Sequence, residues 1–278
     1  MDHRAAVLHG ATGVQGSIIA DELRRRGWDV AGLARSARPD AGVAGVDLAD
    51  PEALANAYRG ADAVIVQLPL AFDRRIVERQ VDAVLRAVED AGVPRSVLNT
   101  STLLPPDEIG VPFIDGRVRL ARELAGAVAA TTAVMPLATF MENLALPASI
   151  ERLRQRDELA HPYPADRAVP WLALADLATV VADALEAPQP PPRQVVAGPD
   201  AITGAEAAAA IGVALDRPVQ WVTVSHLEYE AMLAPALGAD VAAGIAAAYA
   251  APPPPPVAPP GSVRGATTLR QWSARNLR

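Results

Sequence analysis

Gly10-Ala11-Thr12-Gly13-Val14-Gln15-Gly16 is the stretch on which the reading of this chain turns. An apolar run, residues 5–8, leads into it. Residues 17–26 follow as an amphipathic stretch, with Ile18, Ile19 and Leu23 on one side and Asp21, Glu22, Arg24 and Arg25 on the other. Gly27 stands where a helix would end, and residues 28–34 read as a second strand. Strand, glycine loop, helix and strand make a βαβ unit. In that context the three glycines have separate tasks: Gly10 permits the tight turn, Gly13 removes a Cβ where a pyrophosphate approaches, and Gly16 lets the helix pack on the sheet. The helix start at Val14 then aims unpaired N–H groups and a positive dipole end at phosphate. Gly10, Thr12, Gly13, Val14, Gln15 and Gly16 are thus predicted to cradle a dinucleotide.

The alternation continues outward from there. Residues 43–46 read as strand three, Asp50-Pro51-Glu52 opens a helix, and residues 63–66 form a buried strand. A helix over 76–91 is closed by Gly92 and Pro94. Strand five covers 96–99, a helix 118–128 and strand six 133–135. Strands alternating with long helices predict an α/β protein built on a doubly wound parallel sheet. Residues 1–140 are assigned to this cofactor-binding core. Residues 141–278 are assigned to a smaller, mostly helical substrate region, interleaved with the core. That region is read as helices over 150–156, 176–186, 204–215, 226–233 and 267–276, with strands near 194–197 and 219–224. Pro188–Pro192 and residues 251–260 are proline-rich, and five consecutive prolines at 252–256 read as a surface spacer of roughly 15 Å.

Composition excludes several classes of function. The 278 residues are 51% hydrophobic, enough for a packed core, and carry 25 − 32 = −7 charges, which argues against a nucleic-acid surface. There is no cysteine, so no disulfide framework, thiolate nucleophile or Cys-ligated metal. There is also no lysine: every basic side chain is arginine, which rules out Schiff-base chemistry. Residues 124–141 are uncharged, but Gly126, Thr131, Thr132, Pro136 and Thr139 break them into a helix end, a turn and a buried strand. With no signal peptide visible, a soluble cytoplasmic protein acting on a small molecule is predicted, with no nucleic acid and no membrane as partner.

The end of strand two selects the cofactor. A carboxylate there would accept the ribose 2′-hydroxyl of NAD, whereas arginine suits the 2′-phosphate of NADP. The chain offers Arg35 and Ser36 and no acid before Asp40, so NADP(H) is predicted. Ligands of such sheets lie beyond the carboxyl ends of the strands. This puts Asp47 and Leu48 near the adenine, Gln67 and Leu68 near the ribose, and Thr100, Ser101 and Thr102 near the nicotinamide.

The glycine loop, Arg35, Asp47-Leu48, Asn99-Thr100-Ser101-Thr102 and the stretch from Met135-Pro136 to Phe140-Met141-Glu142-Asn143 together resemble the NmrA-like family of atypical short-chain dehydrogenase/reductases. Val169-Pro170-Trp171, Asp176-Leu177-Ala178 and the closing Thr267-Thr268-Leu269 are similar to that family's later segments. The resemblance implies a Rossmann core and an NADP(H)-dependent reductase; the Ala-, Leu- and Pro-rich second half, with no acid–base pair, points to a small, largely apolar carbonyl, enone or quinone as its substrate. It also implies a cofactor contact near Arg117 or Arg119, where many members keep a lysine. The Tyr-x-x-x-Lys pair of ordinary short-chain dehydrogenases is missing: none of Tyr58, Tyr163, Tyr229 and Tyr249 lies in the helix after strand five.

No side chain is therefore assigned as the proton donor, with Ser101 and Thr102 the candidates and Asp115 a lesser one. Phe140, Asn143, His161 and Trp171, with Tyr163, are read as substrate-pocket residues. Of the histidines, His3 is near the terminus, His9 enters the glycine loop, His161 falls in a loop and His226 starts a helix; none belongs to a cluster with metal-ligand spacing. Two other functions fit the missing Tyr and Lys: a non-catalytic NADP(H)-binding sensor, and a non-redox enzyme reusing the pocket.

Overall fold

The structure is a computed structural model that describes residues 4–250 and 257–277. The five-proline spacer and His3 lie outside the described residues. The chain divides into two compact units, residues 1–136 with 177–195 and residues 137–176 with 196–278.

The first unit is the predicted alternation. It runs β1 (Arg4–His9), α1 (Val14–Arg25), β2 (Trp28–Ala34), β3 (Val43–Gly45), α2 (Pro51–Tyr58), β4 (Ala63–Val66), α3 (Arg74–Ala91), β5 (Arg95–Asn99), α4 (Pro112–Ala127) and β6 (Ala130–Leu137). Then come β7 (Thr139–Phe140), α5 (Pro147–Arg156), β8 (Glu158–His161), β9 (Val169–Leu172), α6 (Leu174–Glu186) and β10 (Arg193–Ala197). The chain closes with β11 (Ala201–Ile202), α7 (Gly204–Leu215), β12 (Gln220–Thr223), α8 (His226–Leu237), α9 (Ala239–Ala250), β13 (Val263–Arg264) and α10 (Leu269–Asn276). The large sheet has the order β13-β10-β6-β5-β4-β1-β2-β3. Its registers are parallel, Arg4↔Trp28 to His9↔Leu33 on one side of β1 and Ala6↔Ala63 to Leu8↔Ile65 on the other. Successive strands step one way from β1 to β3 and the other way from β4 to β6, so the topological switch lies between β1 and β4. The doubly wound fold class is as expected.

Apolar runs explain why these strands are central. β4 is buried along its whole length, and Val7, Val64, Val66 and Leu98 pack with Val77, Val81, Val84 and Val88 of α3 and Leu120 and Leu124 of α4. α3 starts where the Asp73 carboxylate accepts from the N–H groups of Arg75 and Ile76, and it stops at Gly92, whose φ of 62° suits glycine. α4 begins six residues earlier than its apolar pattern suggested, because Pro112 pre-sets the first turn while Asp115 and Arg117 are buried. Residues 177–195 return to this unit through arginine. Arg26 pairs with Glu22 at 2.7 Å, Asp183 at 2.7 Å and Glu186 at 2.9 Å, and Arg95 donates to the Ala187 carbonyl at 2.6 Å. A planar fork with several donors makes such shared pairing practicable.

The second unit is helical around two small sheets, β11-β9-β7 and β12-β8. Several of these short strands, and α9, are not visible in the sequence pattern: two- to four-residue strands have no room for a period. His161, expected in a loop, ends β8 instead and is buried among Tyr163, Trp171, Trp221, Tyr229 and Tyr249, its ring 4.9–5.6 Å from theirs. The motifs of the family resemblance become latches here. The Glu142 carboxylate accepts from the Leu174 N–H at 3.1 Å and from Trp272 Nε1 at 3.0 Å, and Asp176 accepts from the Thr267 N–H and hydroxyl at 2.8 and 2.9 Å. These two acids hold the start of α6 and the approach to α10.

Two consequences can be measured. Gly16→Ala places a Cβ 2.1 Å from the Gly10 carbonyl oxygen, so it should cost about 1–3 kcal/mol in denaturant unfolding. Gly126→Ala, on an open face of α4, should instead stabilise by about 0.5–1 kcal/mol. Similar outcomes for the two would remove the steric argument.

Burial also holds His9 at about 4 and His161 at about 3, below the ordinary histidine value. Their stabilising contribution is complete above about 6.5 and is lost as the pH falls toward those folded values, because the unfolded chain takes up protons first. Between pH 7 and pH 5 each should cost about 2 kcal/mol. His161→Gln should unfold with correspondingly weaker dependence on pH, and an unchanged dependence would refute the assignment.

Candidate functional site

The glycine loop sits at the carboxyl end of β1, beside the topological switch. Gly10 has a φ of 63°, in the left-handed region that favours glycine. Gly16 brings the first turn of α1 so close to the loop that a Cβ would overlap the Gly10 carbonyl. Gly13, the N-cap, contributes no side-chain hydrogen bond, in contrast to Asp50 and Asp73, which cap α2 and α3. The first N–H groups of α1 are thus left to a ligand, with the dipole favouring an anion. Thr12, Gly13 and Val14 are exposed around them, Val14 to 60%.

Arg35 and Ser36 follow β2 and are exposed. Among the described residues Arg35 has no ion-pair partner, whereas Arg25, Arg26, Arg74 and Arg119 are each paired with carboxylates. Beyond β3, Asp47 accepts from the Ala49 N–H at 2.9 Å and Leu48 packs against the core.

A buried row of amides lies across the ends of β1, β4 and β5. Gln67 Nε2 donates to the His9 carbonyl at 2.8 Å; Asn99 Nδ2 donates to Gln67 Oε1 and to Gln15 Oε1, both at 2.8 Å. Ser101 donates its N–H to Asn99 Oδ1 at 3.1 Å and its hydroxyl to Gln15 Oε1 at 3.2 Å. Ser101 has a φ of 60°, a conformation that costs a residue with a Cβ about 1–3 kcal/mol and that this pattern of bonds holds in place. Thr100 is occupied structurally, its hydroxyl donating to the carbonyls of Thr102 and Val134. His9, beside the row, is fully buried, with Nε2 2.5 Å from the Tyr58 hydroxyl and the two rings stacked.

Of the two arginines in α4 considered for the cofactor, Arg117 is the inward one. It is 1% exposed and donates to the carbonyls of Leu68 and Phe113 at 2.6 Å and of Pro69 at 3.4 Å. Burial lowers it to about 10, so it remains charged at neutral pH. Arg119 is turned to Asp82 and Glu123. Asp115, the lesser donor candidate, is paired with Arg74 at 3.3 Å and accepts from the Ile109 N–H.

The residues read as a substrate pocket all belong to the second unit. Phe140 and Asn143 are half-buried, and Asn143 Nδ2 donates to the Tyr249 hydroxyl at 3.2 Å. His161, Tyr163 and Trp171 are in that unit's core, and His161 is kept neutral there. In the sequence Asn99 and the latches Glu142 and Asp176 stand out only as parts of the stretches that carry the family resemblance, with no role attached. Their signal was a polar residue ending an apolar strand in one case and acids within apolar segments in the others.

Among the described residues no helix is long and apolar enough to cross a membrane. The model of the NmrA-like family matches residues 2–249. An NAD(P)H azoreductase of Xenophilus azovorans is 31% identical over 226 residues, 78% of this chain and 76% of that protein. Among solved structures, Citrobacter sp. triphenylmethane reductase complexed with NADP(H) has a TM-score of 0.76 at 17% identity, covering 99% of this chain and 100% of that one. An NADPH-dependent quinone oxidoreductase from Escherichia coli complexed with NADPH has a TM-score of 0.69 at 20% identity, covering 97% and 99%. Those two likenesses bear on the fold. With the family pattern spanning most of its length and a relative at 31% identity, the chain belongs to the NmrA-like family.

Proposed function

We propose that this protein is an NADP(H)-dependent reductase of a small, largely apolar carbonyl, enone or quinone, working without a Tyr-x-x-x-Lys pair. The observation that carries the reading is Arg35: an exposed guanidinium without an ion-pair partner among the described residues, at the end of β2 beside an uncapped helix start. The residues fit the cofactor. The N–H groups of Val14, Gln15 and Gly16 take the pyrophosphate, and Arg35 with Ser36 takes the 2′-phosphate as a charge-assisted, bidentate contact. Asp47 and Leu48 flank the adenine, Gln67 and Leu68 the ribose, and Thr100 and Ser101 the nicotinamide. Arg117 contributes by pinning the loop after β4 through the Leu68 and Pro69 carbonyls. The names of the azoreductase, dye-reductase and quinone-reductase relatives agree with a reductase.

When bound, the cofactor supplies a hydride; the protein's share is to orient it and to exclude water. Quinones and activated enones suit a site with no assigned acid, because their reduced forms are stabilised and take the accompanying proton from solvent. Ser101 and Thr102 are the candidate hydroxyls at the strand end, that of Ser101 donating to Gln15 Oε1. On the substrate side, Phe140 and Asn143 are half-buried, and His161 and Trp171 act through the packing they support.

Titration with NADPH and NADH should give tighter binding of NADPH. Absorbance of the reduced nicotinamide should then fall on adding members of a quinone and enone panel. Tight NADPH binding with no oxidation by any acceptor would favour the sensor. Arg35→Glu should weaken NADPH by about 10- to 100-fold while leaving NADH within about twofold; equal losses would strip Arg35 of its role.

A further inference from the structure

The row of amides has a polarity that the backbone imposes. At one end the His9 carbonyl can only accept, so Gln67 must present Nε2 to it and Oε1 to Asn99. At the other end the Ser101 N–H can only donate, so Asn99 must present Oδ1 to it and Nδ2 to both glutamines. Gln15 is then left one orientation: Oε1 turned inward, receiving Asn99 and the Ser101 hydroxyl, and Nε2 turned away from the row. Among the described residues no partner is found for that Nε2. Asn99 is fully buried and every polar hydrogen and acceptor of its side chain is used, so the setting is rigid.

We infer that Gln15 Nε2 is a preset hydrogen-bond donor to the nicotinamide half of the cofactor, and that Asn99 is the positioning residue that fixes its polarity. The inference rests on the cofactor reading above and adds to it which half of the molecule Gln15 touches. Arg35 stands after β2, on the far side of β1, where the adenosine 2′-phosphate belongs. Gln15 reaches the other way, to Asn99 at the end of β5, on the side of the switch that the nicotinamide half occupies in a dinucleotide laid across the crevice. An acceptor-only carboxamide face would repel the ribose and carboxamide oxygens of that half; a donor face binds them. The strained Ser101 belongs to the same device, since its left-handed backbone is what brings both its N–H and its hydroxyl onto the row.

Calorimetric titrations with NADPH and with 2′,5′-ADP, which lacks the nicotinamide half, separate this role from general damage to the loop. The wild type should bind both. Gln15→Met, a neutral change of similar size, should weaken NADPH by at least about tenfold and leave 2′,5′-ADP within about twofold. Asn99→Asp should do the same: an aspartate offers one hydrogen or none where two are needed, so a glutamine must turn. If Asn99→Asp fails to fold, Gln15→Met decides alone. Unchanged NADPH affinity in Gln15→Met, or equal losses of both ligands, would overturn the assignment while leaving the cofactor reading intact. A wild type that binds neither ligand would remove the cofactor reading, and this inference with it.

Discussion

The approach of the Gly16 backbone to the Gly10 carbonyl is the contact on which the rest of the first unit depends. No residue with a Cβ fits there without moving the loop or α1. Because that helix seats so deeply, its free N–H groups open at the carboxyl end of β1, and its second residue, Gln15, reaches strands on the far side of the switch. One steric allowance therefore sets both the uncapped helix start and the amide row. The electrostatics follow from position: a helix start without a side-chain cap after β1 and, after the neighbouring β2, an exposed guanidinium with no ion-pair partner among the described residues.

A chain without lysine shows how far one cationic group can be stretched. Arg26 gathers three carboxylates and closes the returning segment onto the first unit. Arg117 does the opposite: it is buried with no carboxylate partner among the described residues, donates to carbonyls and holds the loop after β4 in shape. Arg35 faces solvent, with no ion-pair partner among the described residues. Burial, more than residue type, separates the two: Arg117 braces the interior and Arg35 stays open to solvent. The same distinction applies to the histidines, since His9 and His161 are held neutral in the interior and serve as polar packing pieces.

Much of the first unit was legible because its elements are long enough to show their periods and its punctuation is chemical. The glycine triplet, the Asp50-Pro51 start and the Gly92 stop each name a local geometry. The start of α4 is hidden in the sequence because its first two turns bury Asp115 and Arg117, which look like surface residues. In the second unit two-residue strands such as β7 and β11 carry no pattern, and β8 hides a histidine at its end. The role proposed for Arg35 follows from its place after β2, whereas the one proposed for Asn99 depends on partners at positions 15, 67 and 101, which only the folded sheet brings together.

The Glu142 latch carries an evolutionary corollary. Its carboxylate is partly buried and is satisfied by an indole 130 positions away. Without the indole the carboxylate keeps the Leu174 N–H but no side-chain donor among the described residues, and without the carboxylate the indole N–H loses its acceptor, so the pair should be inherited together. Descendants of this chain that lose the tryptophan should also have exchanged the glutamate, and a recombination crossover that separates the two would yield a chimera whose partly buried carboxylate keeps the Leu174 N–H but lacks its indole donor.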